Sequence, residues 1–378
     1  MFIQRFFTSI NSIMPKGKIL IIYGPRRVGK TTLLKMLLKN TTLKYKIDSG
    51  DNIRLQEIMS SKDFRLINEY ASGYEMLVID EAQNIPDVGT GLKILIDENP
   101  KLQIIATGSS SFDLSQKIGE PLTGRKKTIT LFPFSQGELA KYHNAYELKE
   151  QLENFLIYGT YPEVYTSKNN QEKKEILLEL VGSYLLKDIL SLEKVKNPLV
   201  LHNLLKLLAF QVGNQVSAHE LAVKLSINVR TVSRYLDLLE KAFVIFRLSA
   251  FSRNLRNEVA TKSKYYFYDN GIRNAVIMQF NTLDYRNDIG ALWENFLIAE
   301  RLKYLSYNRI FTNCYFWRNY KQKEIDYIEE QNGELYAYEF KWKKTKAKLP
   351  DNFTNEYSVK SFSVVNKDNY LDFLMPGC

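Results

Sequence analysis

Two cysteines, Cys314 and Cys378, are spread over 378 residues, the second of them terminal. So few exclude a disulfide framework and point to a reducing, cytoplasmic setting. The three histidines, His143, His202 and His219, are too scattered for a zinc site. No apolar run reaches the roughly 20 residues that a bilayer-crossing helix needs, so no membrane is expected as a partner. Met1–Met14 is apolar around Arg5 but lacks a small-residue cleavage site and leads straight into a strand-like segment, which argues against a signal peptide. Positive charge, by contrast, is in excess: 52 Lys and Arg stand against 42 Asp and Glu, a formal charge of +10. That balance favours an acidic partner, nucleic acid foremost. The hydrophobic content of 45% is ordinary for a globular protein, and the length suits two or three domains.

Residues 24–31 read Gly24-Pro25-Arg26-Arg27-Val28-Gly29-Lys30-Thr31, followed by Thr32. This is G-x-x-x-x-G-K-[ST], set between an apolar strand, Lys18–Tyr23, and an apolar helix, Thr32–Leu38. The glycines let successive amide hydrogens and the positive end of the helix point into one concavity, which suits a chain of phosphates. Lys30 would neutralise the outer phosphates and Thr31 would hold Mg²⁺, making ATP the expected ligand.

Strand-like segments Lys18–Tyr23, Lys44–Asp48, Met76–Ile79, Gln103–Ala106 and Lys127–Phe132 alternate with helical ones, the signature of a parallel sheet covered on both faces. The run Met76-Leu77-Val78-Ile79 delivers Asp80 and Glu81 to the carboxyl end of a buried strand, where ligands of open α/β sheets bind. Asp80 would accept hydrogen bonds from Mg²⁺-bound water, and Glu81 would orient and deprotonate the attacking water. Gln103–Ala106 ends in Thr107-Gly108-Ser109-Ser110-Ser111, hydroxyls within reach of the same place or ordinary turn chemistry.

Taken together, Gly-Pro-Arg-Arg-Val-Gly-Lys-Thr-Thr-Leu-Leu, Asp-Glu-Ala-Gln and Thr-Gly-Ser-Ser-Ser resemble a prokaryotic group of AAA-type P-loop ATPases. Such proteins carry a helical and winged-helix middle and a C-terminal domain like that of restriction endonucleases. The resemblance implies a sensor position at Ser109 or Ser110. It also aligns Arg125 with a Gly-Arg pair before the last core strand, as an arginine finger or as a structural arginine.

In the middle of the chain, Leu148–Tyr158 and Gln171–Leu192 show helical spacing around the turn Gly159-Thr160-Tyr161-Pro162-Glu163, which fits a small helical lid. Ser217–Leu225, a turn at Ser226-Ile227-Asn228, Val229–Ala242 and a strand at Val244–Leu248 read as a helix-turn-helix with a wing. Such a module would present Arg230, Thr231 and Arg234 to the major groove of DNA, with Arg253, Arg256, Lys262 and Lys264 in the wing on phosphates. Winged helices also pack against proteins, and that alternative stays open.

Towards the C-terminus, Glu294 lies on an amphipathic helix, Leu292–Leu302, and Asp326 on a strand, Glu324–Ile328. Glu339 and Lys341 lie two apart in Leu335–Lys341, where a strand would project both from one face. Converging carboxylates and a lysine form a nuclease-type Mg²⁺ site, with Asp326 and Glu339 as ligands and Lys341 beside the scissile phosphate. The order Glu294, Asp326, Glu339, Lys341 resembles the PD-(D/E)xK nuclease superfamily; a salt-bridged strand pair in an inactive nuclease fold is the alternative.

The expected class is α/β throughout: a P-loop NTPase parallel sheet over residues 1–138, a helical lid plus winged helix over 139–264, and a restriction-endonuclease-like α/β domain over 265–378. The expected function is an ATP- and Mg²⁺-dependent ATPase coupled to DNA binding; the alternative is a nucleotide-regulated switch that binds DNA or protein. Self-association into a homo-oligomer is left open.

Overall fold

A computed structural model describes residues 3–15, 17–109, 122–185, 197–253, 263–319, 321–343 and 346–376. The chain divides into two compact units: residues 4–132 with Lys241–Phe243, and residues 133–240 with 244–378 and the first three residues.

In the first unit, apolar side chains on consecutive positions force strands to be covered on both faces. β1 (Ile19–Tyr23) is buried at every residue and lies between β4 (Gln103–Gly108) and β5 (Lys126–Thr130), parallel to both. Next to β4 comes β3 (Met76–Asp80), and β2 (Tyr45–Ser49) forms the edge, giving the order β2-β3-β4-β1-β5 with every pair parallel. All five expected strands form, each within a residue or two of its predicted bounds. On one face Ile19, Ile21, Leu77 and Ile79 share a core with Leu92 and Leu95 of the helix Val88–Glu98.

The second unit opens with the turn Ser135–Glu138, a capping box in which each residue's side chain bonds the other's backbone amide. Short helices follow at Ala145–Glu150, Leu152–Tyr158, Pro162–Thr166 and Asn170–Glu179. The expected continuation towards Leu192 lies largely outside the described residues. The helix Pro198–Phe210 leads to Ala218–Leu225, which ends at a left-handed Ser226, and then to Val229–Lys241. Asn228 caps that last helix by accepting from the amide and hydroxyl of Thr231, at 2.7 and 2.9 Å.

A seven-stranded sheet runs through the rest of this unit. Its members are β6 (Gln215–Val216), β7 (Ile245–Ala250), β8 (Ser263–Phe267), β9 (Asn313–Arg318), β10 (Glu324–Gln331), β11 (Glu334–Phe340) and β12 (Val359–Val365). Their order is β12-β11-β10-β9-β7-β8-β6. The hairpin β7–β8 is therefore hydrogen-bonded into the same sheet as the C-terminal strands, through the parallel pair β7–β9 at Ser249↔Tyr315 and Ala250↔Phe316. Cys314 in β9 is half-buried, its sulfur accepting from the Tyr327 hydroxyl at 2.9 Å, and burial pushes the thiol up to about 11.

The helix Ile289–Tyr307 crosses this unit and carries Asn295, Glu300, Arg301 and Lys303, all buried. Each charge among them has a partner: Arg301 forks onto both oxygens of Glu329 at 2.7 and 2.9 Å, and Lys303 reaches Glu300 at 2.7 Å. Glu300 in turn accepts from the Gln136 amide at 2.8 Å. Asp269 is enclosed in the same region and accepts from the amides of Thr160 at 2.7 Å and Ile272 at 3.2 Å. Burial raises its carboxyl pKa, against the opposing pull of Lys303 and these amides.

Two glycines make that approach possible. A Cβ on Gly159, whose φ is +72°, would lie 2.0 Å from Asp269 Oδ1, and one on Gly271 would lie 2.0 Å from the Tyr158 carbonyl oxygen. Gly159→Ala should therefore lower unfolding stability by on the order of 3 kcal/mol in a urea titration. Gly290→Ala, which meets no atom within 4 Å, should change it by less than about 1 kcal/mol. Equal effects from the two would show that the Asp269 contact does not constrain the fold.

Candidate functional site

The glycine-rich loop follows directly from the carboxyl end of β1. Gly24 adopts φ +151°, and a Cβ there would lie 2.1 Å from the Leu131 carbonyl oxygen, so only glycine lets the chain turn against the segment after β5. Gly29, at φ +89°, caps the helix Lys30–Lys39. Val28 is buried and anchors the loop, while Arg26 and Thr32 are exposed and Arg27 adopts a positive φ of 59°. The Lys30 ammonium is buried within the loop, donating to the carbonyls of Gly24 at 2.9 Å and Pro25 at 3.0 Å.

Asp80 meets this loop from the end of β3. Thr31 Oγ1 donates to Asp80 Oδ2 at 2.7 Å, and Thr107, from the end of β4, donates to Asp80 Oδ1. The Thr107 oxygen also accepts from the Glu81 amide at 3.0 Å. Glu81 itself is left-handed, with φ 51°, and a Cβ on Gly50 would lie 2.2 Å from its carbonyl oxygen. The Glu81 carboxylate accepts from Gln83 Nε2 at 2.5 Å, and the same amide nitrogen reaches Ser109 Oγ at 3.2 Å.

Lys30, Thr31, Asp80, Glu81 and Ser109 thus come from three motifs to one end of one sheet. The donor set fits Mg²⁺: a threonine hydroxyl and an aspartate lie within hydrogen-bond distance of each other beside a loop of amides. Thr107 and Gln83 were not singled out by the sequence. Thr107 falls in the strand-end hydroxyl pattern, whereas Gln83 stands in Asp-Glu-Ala-Gln two residues past Glu81 with no spacing rule to mark it. Arg125 is at the opposite, amino end of the strands, level with the start of β1, where its Nε donates to Asp97 at 2.6 Å. It does not reach this chain's own loop.

In the second unit, Arg230 and Arg234 are exposed on the amino half of Val229–Lys241, whose Val232, Tyr235, Leu236 and Leu239 face inward. The Arg234 guanidinium lies 5.5 Å from the Tyr235 ring centre. Arg253 stands over Tyr357 at 5.9 Å; Arg256 and Lys262 lie outside the described residues.

The register Tyr327↔Tyr338 brings Asp326 level with Glu339 across β10 and β11. β10 slips against β9 between Ile325 and Ile328, an irregularity that re-aims side chains at Asp326. Asp326 Oδ2 accepts from the Phe340 amide at 2.7 Å, and Lys341, one residue past the end of β11, reaches Glu339 at 2.6 Å. The expectation of a strand through Lys341 is thus one residue too long, yet the two side chains do share a face. Burial raises the Asp326 pKa to about 8, reinforced by the charges of Glu294 and Glu339. Glu294 is bound to Lys264 at 2.9 Å and to the Tyr266 hydroxyl at 2.6 Å. The expectation that Lys264 is a wing cation on phosphates is thus corrected: its side chain is enclosed and paired with Glu294 and Glu324, and neither this pairing nor that of Tyr266 shows in the sequence, because Glu294 is 28 to 30 residues away. Among the described residues no three His, Cys, Asp or Glu side chains gather as a ready metal cage. Trp342 packs edge-on against Trp293, with 5.5 Å between ring centres.

The parallel five-stranded sheet and glycine-rich loop of the first unit are consistent with a P-loop NTPase, and residues 16–140 match the family described as AAA domain. Two further matches are to domains of unknown function, DUF8612 over residues 149–283 and DUF4143 over 289–373. An uncharacterized protein of Mycobacterium tuberculosis is 26% identical over 330 residues, covering 86% of this chain and 70% of its own. Uncharacterized proteins of Methanocaldococcus jannaschii and Haemophilus influenzae are each 26% identical, over 94% and 95% of this chain and 80% and 89% of theirs. Among solved structures, domain III of the Thermotoga maritima replication initiation protein DnaA is 20% identical over 47% of this chain and 85% of its own, with a TM-score of 0.28. No helix among the described residues is long and apolar enough to cross a membrane.

Thr107→Val should remove the bridge between Asp80 and the Glu81 amide, costing about 1–3 kcal/mol of unfolding stability because both groups lose a partner. It should also shrink the rise in melting temperature produced by nucleotide. A variant as stable and as responsive as the parent would show the hydroxyl to be dispensable.

Proposed function

We propose that the chain is a Mg²⁺-dependent ATP phosphohydrolase whose second unit binds DNA and carries a nuclease-like carboxylate site. The observation that supports the ATPase reading is the hydrogen-bonded run Thr31–Asp80–Thr107–Glu81, at the carboxyl ends of β1, β3 and β4 beside the loop. Thr31, with Asp80 behind it, would hold Mg²⁺, which when bound offsets phosphate charge. Lys30 binds the outer phosphates, exchanging carbonyl partners inside the loop for phosphate oxygens. Glu81 orients and deprotonates the attacking water, and Gln83 holds its carboxylate until then. Ser109, tied to the same amide, stands in the sensor position.

For the second unit, exposed Arg230 and Arg234 at the amino end of a capped helix support DNA as partner, with Thr231 engaged in the cap and Arg253 at the strand end. Asp326 and Glu339 would hold one Mg²⁺, with Lys341 offsetting charge on a phosphate. The pairing of Glu339 with Lys341 and of Glu294 with Lys264 favours a second reading, in which the domain grips DNA without cutting it. Oligomeric assembly, with Arg125 facing a neighbouring copy's nucleotide, is compatible with its place away from this chain's own loop.

Lys30→Ala should abolish or severely weaken ATP binding, whereas Glu81→Gln should bind ATP and hydrolyse it at least about 100-fold more slowly, since Glu81 acts on the water and Lys30 on ground-state charge. Filter binding and phosphate release separate the two, and hydrolysis by Glu81→Gln at the parent's rate would remove Glu81 from its role.

Duplex DNA affinity should fall steeply from 50 to 200 mM salt, with a slope that flattens by about 2 in Arg230→Ala/Arg234→Ala. A salt-independent or unchanged affinity would point to a protein partner instead.

A further inference from the structure

Lys264 is the second residue of β8, and its side chain is 1% exposed. A lysine so enclosed keeps its charge only where carboxylates hold it. Two do: Glu294 Oε1 at 2.9 Å and Glu324 Oε1 in direct contact. Burial alone would lower the Lys264 pKa, but Glu294 and Glu324 outweigh it and raise it, with Asp326 adding to their pull. Tyr266, two residues along the same strand and therefore on the same face, donates to the same Glu294 oxygen. The other Glu294 oxygen is covered by the turn after Pro198–Phe210, since a Cβ on Gly213 would lie 3.3 Å from it. Arg318 stands 3.4 Å from the second oxygen of Glu324.

Asp326 responds to the charges of Glu294 and Glu339, and Lys264 to those of Glu294, Glu324 and Asp326; the four carboxylates of this region are nonetheless divided. Glu294 and Glu324 are committed to an internal ammonium, whereas Asp326 faces Glu339 with Lys341 at the more open side. Sites that use two metal ions place them about 3.5–4 Å apart and need carboxylates for both. Lys264 cannot serve as a phosphate-contacting lysine, because its ammonium has no path to solvent; it acts on its neighbours by charge and by place.

We infer that Lys264 is the built-in second cation of the C-terminal carboxylate site, fixed where another divalent ion would bind, so that the site takes a single divalent ion between Asp326 and Glu339. This rests on the reading of Asp326 and Glu339 as metal ligands given above. Lys264 is a positioning residue: it holds Glu294 and Glu324 in place and keeps them from the metal. Since it comes from the hairpin β7–β8, that hairpin and the C-terminal strands supply one site together.

The test counts Mn²⁺ bound to the full chain by the electron paramagnetic resonance of the free ion. It uses an Asp80→Ala background that silences the phosphate-loop metal, and follows thermal unfolding in parallel. The parent should bind one Mn²⁺, lost in Asp326→Ala. Lys264→Met should bind two, should melt lower than the parent in chelator and should recover with Mn²⁺, and adding Glu294→Gln should return the count to one. Lys264→Arg should keep one. A count of one in Lys264→Met, or a chain unfolded with and without Mn²⁺, would overturn the inference while leaving the Asp326–Glu339 reading intact. Conversely, a parent that binds none beside a Lys264→Met that gains one would support the role of Lys264 and overturn the reading of Asp326 and Glu339.

Discussion

The second unit depends on a carboxylate that should not be comfortable where it is. Asp269 is cut off from water, and an ionised carboxyl in such a place is costly unless its oxygens are fully occupied. Amides of Thr160 and Ile272 occupy them, Lys303 supplies opposite charge nearby, and Gly159 and Gly271 are the residues whose missing side chains let two backbone segments close around it. Because the amides belong to the turn at 159–163 and to the helix Asn270–Val276, the carboxylate fixes two segments more than a hundred residues apart. The long helix Ile289–Tyr307 then joins them through Lys303, Glu300 and the Gln136 amide. Helices and sheet in this unit are assembled around satisfied charge as much as around apolar area.

The first unit works by a different constraint, that of steric room. Gly24 and Gly50 each stand where a side chain would overlap a backbone oxygen, one on the segment after β5 and the other at Glu81. Both close approaches lie at the carboxyl end of the sheet, where the phosphate loop and the acidic strand end meet. There Thr31, Asp80, Thr107 and Glu81 form a continuous run of donors and acceptors rather than separate solvated groups.

Much of this was legible in the sequence, for stated physical reasons. Strands such as Ile19–Tyr23 are buried on both faces and read as unbroken apolar runs, and a loop that needs Gly24, Gly29, Lys30 and Thr31 at fixed spacing leaves a mark that no other structure leaves. The capped helix after Asn228 was visible because caps are local. What sequence could not display was pairing at a distance. Lys264 reads in sequence as one more cation of a wing, and it is enclosed with Glu294 and Glu324; Gln83 has no spacing rule to mark it, and its amide bonds the Glu81 carboxylate. Likewise, nothing in the spacing of Ser249 and Tyr315 announces that β7 and β9 are partners, although that pair makes one sheet of two stretches with separate patterns.

Cys314 deserves a last consequence. A thiol with its pKa pushed to about 11, half-buried and bonded by the Tyr327 hydroxyl between β9 and β10, is almost entirely protonated at neutral pH and therefore slow to react. Alkylation should be slow while the strands stay paired and faster when they part, because separation removes the burial that raises its pKa. With Cys378 replaced by serine, the speed of alkylation at this one sulfur becomes a clock for the opening of the sheet's centre, read in the intact chain without any added label.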